Sequence, residues 1–141
     1  VGPAGHRLAA IPYAALPIGT AVALELGLPL IYPRKEAKGY GLGRQVEGEF
    51  HPGERAIVLD DLITTGGSKL QAIEPLTAAG LEVHDVVVLI DREQGGREDL
   101  EAAGYRLHAA FRLSEMLEML VQVDRIEPGQ RDQVAAFLWG S

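Results

Sequence analysis

The stretch IVLDDLITTGGS, residues 57–68, places two aspartates directly after an apolar run and directly before a turn of hydroxyl residues and glycines. Carboxylates are seldom fully buried without a partner, so a strand that leads into Asp60 and Asp61 is expected to end at a built site. The glycines of TTGGS allow a tight turn. Its hydroxyls, with the free N–H groups of a helix start, can hold an anion such as phosphate. A plain helix cap would use the same residues, so TTGGS alone leaves both interpretations open.

The paired aspartates favour the phosphate interpretation. Two carboxylates beside a phosphate cradle can accept hydrogen bonds from a vicinal diol, and they can also hold Mg²⁺ directly or through water. An ordinary turn with one N-capping aspartate is the alternative. The sequence has neither GxxxxGK[ST] nor GxGxxG after a strand, so the common nucleotide loops do not fit. The order of strand, two acids, TTGGS and helix therefore predicts a site for a ribose 5-phosphate.

Composition limits the class of protein. The 141 residues, 47% hydrophobic and 23% charged, predict one domain over residues 1–141. The absence of cysteine excludes disulfides and thiolate chemistry. The net charge of −7 argues against a nucleic-acid partner. The uncharged run at 8–24 is interrupted by Pro12 and Pro17, so we expect a buried strand and helix there rather than a membrane span. Without a visible targeting signal, the expected location is the cytoplasm.

Strand-like and helix-like segments alternate along the chain. The patterns predict strands at 8–11, 30–32, 46–50, 56–59, 86–90 and 105–109, and helices at 15–26, 67–79, 97–103, 113–120 and 128–138. Pro75 predicts a kink or an early break in the second helix, and the last helix should bury a face formed by Val134, Phe137 and Leu138. This alternation predicts a Rossmann-like α/β fold, a mostly parallel sheet with helices on both faces. Ligands bind such sheets at the carboxyl ends of the strands.

One segment has a different character. RKEAKGYGLGR, residues 34–44, has four basic residues, one acid and three glycines. It has little to bury, so we expect an exposed and mobile loop at the same edge of the sheet as the aspartates. Taken alone, the segment favours a solvated linker over a functional loop.

VLDDLITTGGS closely resembles the motif that binds phosphoribosyl diphosphate (PRPP) in type I phosphoribosyltransferases. Four further segments resemble orotate phosphoribosyltransferase, in particular its UMP-synthase-like branch: IPYAALPIGTAVAL at 11–24, YPRKEAKGYG at 32–41, VEGEF at 46–50 and LIDREQGG at 89–96. The resemblance runs from about Ala10 to about Leu120, and DREQGG disfavours a purine-specific relative. It implies the type I phosphoribosyltransferase fold and the transfer of a phosphoribosyl group from PRPP to orotate. A non-catalytic module that binds PRPP or a nucleotide is the alternative on the same fold.

The resemblance also implies roles for individual residues in binding PRPP. Asp60 and Asp61 would bind the ribose hydroxyls, with Mg²⁺ held mainly through PRPP. Tyr13 would lie in the segment that lines the diphosphate, often through a cis peptide. The 5-phosphate would be held by Thr64, Thr65, Gly66, Gly67 and Ser68.

Two further roles concern the reaction and the acceptor. Arg34, Lys35 and Lys38 would belong to a catalytic loop, which in a homodimer closes over the neighbouring subunit's site. Arg92 would bind the orotate carboxylate bidentately. Full-length members carry an additional N-terminal segment, and we expect this chain to lack it.

Overall fold

The computed structural model describes residues 5–36 and 44–140. Its elements are β1 (His6–Ala10), α1 (Ala15–Leu26), β2 (Leu30–Pro33), β3 (Val46–Glu47), β4 (Arg55–Ile63), α2 (Gly67–Ala78), β5 (Glu82–Asp91), α3 (Gly96–Ala102), β6 (Arg106–Arg112), α4 (Leu113–Gln122) and α5 (Pro128–Trp139). The six strands form one sheet in the order β3-β2-β1-β4-β5-β6. Only the β2–β3 pair is antiparallel within it. The predicted α/β fold is confirmed.

Successive residues of a strand point to opposite faces of the sheet, and in β4 both sets include apolar residues. Helices therefore cover both faces. Leu59 packs on one face with Leu8 of β1 and Ala23 of α1. Val58 packs on the other face in a larger cluster that includes Ile73 of α2 and Leu100 of α3. The predicted strand and helix in the apolar run at 8–24 are confirmed as β1 and α1. None of the helices in the described ranges has the length and apolar content that crossing a membrane requires.

The strand ends differ from the prediction. The strand predicted at 56–59 continues as β4 to Ile63, so both aspartates belong to the strand rather than following it. The reason is the length of β5, whose ten residues continue the parallel ladder as far as the Ile63–Asp91 pair. The strand predicted at 46–50 is only two residues long, because Gly48 adopts a positive φ of 104°.

Two features of the helices differ from expectation. The early break that was one possibility at Pro75 does not occur, because α2 continues to Ala78. The last helix does not bury the predicted face: no residue of α5 is fully buried. Phe137, which was predicted to face the core, is 86% exposed. The basic loop predicted at 34–44 lies mostly at 37–43, outside the described residues.

Candidate active site

A cavity of about 550 Å³ opens at the carboxyl ends of β1 and β4, which pair side by side. From these two strands the chain moves in opposite directions across the sheet, β1 leading to β2 and β4 to β5. Such a switch point leaves a crevice that α/β proteins use for ligands. Three segments line it: Ile11 to Ala14 after β1, Pro33 to Lys35 at the end of β2, and a group from β4 and α2 formed by Asp60, Asp61, Ser68, Gln71, Ala72 and Pro75.

Asp60 is held by a lysine that the sequence analysis missed. The Lys69 ammonium lies 2.7 Å from Asp60 Oδ2, and the two residues are only 5% and 7% exposed. The other oxygen of Asp60 accepts the Asp61 N–H at 2.8 Å. Burial raises the pKa of the Asp60 carboxyl above its ordinary value, and Lys69 opposes that rise through its hydrogen bond and its charge. Asp60 is therefore a buried carboxylate whose charge is compensated from α2.

One sequence signal could have identified Lys69. It is the third residue of α2, in the first turn, where the helix dipole disfavours a cation. A lysine placed there requires a compensating carboxylate, and Asp60 is that group. Asp61 differs from its neighbour, since it is half-buried, lines the cavity, and accepts only the Leu62 N–H, at 2.9 Å, from the described residues.

The two glycines of TTGGS do different things. The Gly66 N–H donates to Asp99 Oδ2 of α3 at 2.8 Å, and a Cβ at Gly66 would lie 2.5 Å from the Asp99 Cβ. Gly66 is therefore required by the packing of α3. A Cβ at Gly67 would meet no described atom within 4 Å, so the space over its backbone is open.

The start of α2 is arranged for an anion. The first N–H groups of any α-helix have no carbonyl partner within the helix. In α2 the N-cap residue is Gly66, which has no side chain that could accept a hydrogen bond from them. Ser68 lines the cavity. Thr64, Thr65 and Gly66 form the turn between β4 and α2, and neither they nor Gly67, the first residue of α2, is among the lining residues. The helix start can thus bind a phosphate through the N–H groups beyond Gly66.

The segments after β1 and β2 meet across the cavity. The Pro12–Tyr13 peptide is cis, as the resemblance implied. Tyr13 is 60% exposed, and the Lys35 ammonium lies 5.0 Å from the centre of its ring. Arg34 also lines the cavity, but its Nε pairs with Glu47 Oε1 at 2.8 Å, a contact that the sequence did not reveal. Lys38 lies outside the described residues.

Arg92 follows β5 at the same edge of the sheet but is not among the lining residues of this cavity. Its N–H donates to the Ile63 carbonyl at 3.0 Å, which ties it to the end of β4. The neighbouring Asp91 is 2% exposed, and its Oδ2 forms an ion pair with a guanidinium nitrogen of Arg97 at 3.4 Å, not with Arg92. No described residue forms an ion pair or hydrogen bond with the Arg92 guanidinium, so this group can meet an anionic ligand.

Comparisons with known proteins agree with this arrangement. The family model described as phosphoribosyl transferase domain matches residues 7–105, more than half of the chain. A bifunctional enzyme PyrF/PyrE of Nostoc sp. is 48% identical over 124 residues, which cover 88% of this chain and 26% of the relative. The structure of Leishmania donovani UMP synthase superimposes with a TM-score of 0.85 at 44% identity, covering 94% of this chain and 28% of that one.

A third relative carries the ligand implied by the sequence motif. The Mycobacterium tuberculosis orotate phosphoribosyltransferase solved in complex with PRPP is 30% identical, has a TM-score of 0.67, and is matched over 77% of this chain and 64% of its own. This chain spans about a quarter of the length of the first two relatives. The fold, the cavity at the switch point and the matched family model together show that the chain belongs to the phosphoribosyltransferase family.

Proposed function

We propose that this chain transfers the phosphoribosyl group of PRPP to orotate, giving orotidine 5′-monophosphate and diphosphate. The observation that carries the proposal is the meeting of Asp60, Asp61 and the first turn of α2 at one cavity. That arrangement sets a diol-binding carboxylate pair beside an anion-binding helix start. The relatives named as orotate phosphoribosyltransferase and UMP synthase support orotate as the acceptor.

The residues divide between the parts of PRPP. Asp60 and Asp61 bind the ribose hydroxyls, and Lys69 keeps Asp60 ionised for that purpose. An ionised carboxylate has about four lone-pair sites, so the contacts Asp60 already makes leave it capacity for a hydroxyl. The 5-phosphate lies over Gly67 and Ser68, with Thr64, Thr65 and Gly66 shaping the turn, and Tyr13 lies along the diphosphate.

Departure of diphosphate from the anomeric carbon builds positive charge on the sugar and negative charge on the leaving group. Cations around the diphosphate and exclusion of water therefore accelerate the reaction, and no covalent intermediate is needed. Lys35, which lines the cavity beside Tyr13, is placed to supply one such cation. Arg34 and Lys38 belong to the same catalytic loop, and in a homodimer the part of this loop beyond Lys35 serves the neighbouring subunit's site.

Mg²⁺ completes the proposed site. Within the described ranges, no group of three or more His, Asp or Glu side chains is placed to hold a metal ion. A pair of carboxylates at the cavity fits Mg²⁺ that is held mainly by phosphate oxygens, with Asp61 as the protein contact. When bound, the ion neutralises charge on the diphosphate. PRPP carries several charges and does not cross a bilayer, so we place the enzyme in the cytoplasm with its substrate.

The test is consumption of orotate in the presence of PRPP and Mg²⁺, followed by the loss of orotate absorbance and by the appearance of orotidine 5′-monophosphate. We expect product only when all three are present, in this chain or in a version extended at its N-terminus. Adenine in place of orotate is the matched control and should give no product. If neither version consumes orotate while PRPP still raises the melting temperature, the chain is a PRPP-binding regulatory module instead.

A further inference from the structure

The last helix reaches back to the segment that carries Arg92. The indole N–H of Trp139, at the end of α5, donates to the Arg92 carbonyl at 3.0 Å, across 47 positions of sequence. We propose that Trp139 is a positioning residue: through this bond it fixes the Arg92 segment and so sets the affinity for the acceptor base, leaving that for PRPP unchanged. The identity of the acceptor base in this inference rests on the proposed function, whereas the contact between Trp139 and Arg92 is independent of it.

The Arg92 segment needs such support. Glu93 has a φ of 57°, in the left-handed region that a residue with a side chain seldom adopts. Its N–H is held by Asp91 Oδ1 at 2.8 Å. Such a backbone persists only when the surrounding structure determines it, and residues of this kind cluster at ligand sites.

Contacts from the two C-terminal helices supply that support. The Glu93 carboxylate accepts the Ser114 N–H at 2.9 Å and thereby satisfies a donor at the start of α4. The Gln94 amide lies 3.5 Å from the Leu138 carbonyl of α5. With the bond from Trp139, three successive residues, 92 to 94, are each tied to α4 or α5.

Trp139 is not simply part of a core. No residue of α5 is fully buried, and the other aromatic side chain of this helix, on Phe137, is directed to solvent. Helix α5 is held to α4 by an ion pair between Arg131 and Glu118 at 3.1 Å. The C-terminal end of α5 therefore supports the Arg92 backbone through the Trp139 hydrogen bond. Shortening the Trp139 side chain removes this support, while the packing of the sheet is kept.

The position of Arg92 matters because its guanidinium is available. Arg97 neutralises Asp91 and also donates to the Leu107 carbonyl at 2.9 Å. A planar guanidinium reads a carboxylate through two parallel hydrogen bonds, which demands a fixed backbone. Loss of that fixation should weaken recognition of the orotate carboxylate, while the ribose and phosphate contacts, which come from β4 and α2, stay intact.

The test compares Trp139→Phe with Phe137→Leu, an exposed aromatic change on the same helix. We expect Trp139→Phe to raise the KM for orotate roughly 3–10-fold, the factor that one lost hydrogen bond gives. The KM for PRPP and kcat should stay within about twofold, and Phe137→Leu should change nothing. An unchanged KM for orotate, or an equal rise in both KM values, would overturn the proposal.

Hydrogen exchange separates this inference from the proposed function. In Trp139→Phe, the amides of residues 91–96 should exchange faster than in the wild type, and those of β1 should not. Glu93→Ala, which removes the contact to α4, should give the same local pattern and is an independent second variant. If the wild type does not use orotate, the proposed function fails while the exchange result still decides the positioning role. Unchanged exchange in both variants contradicts that role.

Discussion

Replacing Lys69 by methionine is expected to destabilise the fold by about 3–5 kcal/mol and to abolish PRPP binding at neutral pH. Asp60 and Lys69 are both buried, and their charged atoms lie 2.7 Å apart. Without the ammonium, Asp60 becomes an uncompensated buried charge. The measurement is urea unfolding of the variant against wild type at pH 8, together with a titration of PRPP.

The pH dependence of this variant identifies the mechanism. Burial already raises the pKa of the Asp60 carboxyl and Lys69 lowers it, so removal of Lys69 raises that pKa further. A carboxyl whose pKa is higher in the folded than in the unfolded state binds more protons when folded. Stability therefore falls as pH rises through the folded pKa, and the deficit of the variant should shrink towards pH 5.

The matched control is the double variant Asp60→Asn/Lys69→Met. It removes both charges, so it should regain most of the lost stability without regaining PRPP binding. A Lys69→Met protein as stable as wild type at pH 8, or one whose deficit is the same at pH 5, would contradict the conclusion that Lys69 compensates the buried charge of Asp60.

The second large effect distinguishes the two glycines at the start of α2, the N-cap Gly66 and the first helical residue Gly67. Gly66→Ala should cost about 1–3 kcal/mol, because its Cβ would lie 2.5 Å from the Asp99 Cβ and α3 would have to move. Gly67→Ala should leave stability unchanged or raise it by up to about 1 kcal/mol, since alanine is the better helix former and its Cβ meets no described atom within 4 Å. The open space over Gly67 is where the phosphate would lie, so this variant should bind PRPP at least about tenfold more weakly.

Melting temperature and the Kd for PRPP, measured on both variants, check this contrast. Gly66→Ala controls for loss of affinity through loss of fold, and Gly67→Ala tests the phosphate contact without it. If Gly67→Ala binds PRPP as tightly as wild type, the phosphate does not approach the backbone there.

Local patterns predicted much of this structure from sequence. Helix α1 has the predicted bounds, and Gly27 ends it in a left-handed conformation with φ of 64°, as its position suggested. The order of apolar run, two acids, TTGGS and helix predicted that these residues lie towards the carboxyl end of β4, where the cavity opens. Both features depend on neighbours in sequence, so the sequence contained what was needed.

The features that sequence did not reveal depend on residues far along the chain. The extent of β4 is set by the length of β5. The requirement for Gly66 comes from Asp99, 33 positions away, and the contact of Trp139 reaches 47 positions back. The Asp60–Lys69 pair depends on which face of the sheet α2 covers. Periodicity along one element carries no information about such partners.

We propose that the ribose binds at Asp61 and the phosphate at the start of α2, where Ser68 lines the cavity and the space over the Gly67 backbone is open. The measurement that tests it most directly is calorimetric titration of PRPP and of inorganic phosphate, each with Mg²⁺, into wild type, Asp61→Asn and Gly67→Ala. We predict that Asp61→Asn weakens PRPP by at least about tenfold, as loss of a charged hydrogen bond would, and does not weaken inorganic phosphate. Gly67→Ala should weaken both ligands. If Asp61→Asn weakens the two ligands equally, or Gly67→Ala weakens neither, the division of the site is contradicted.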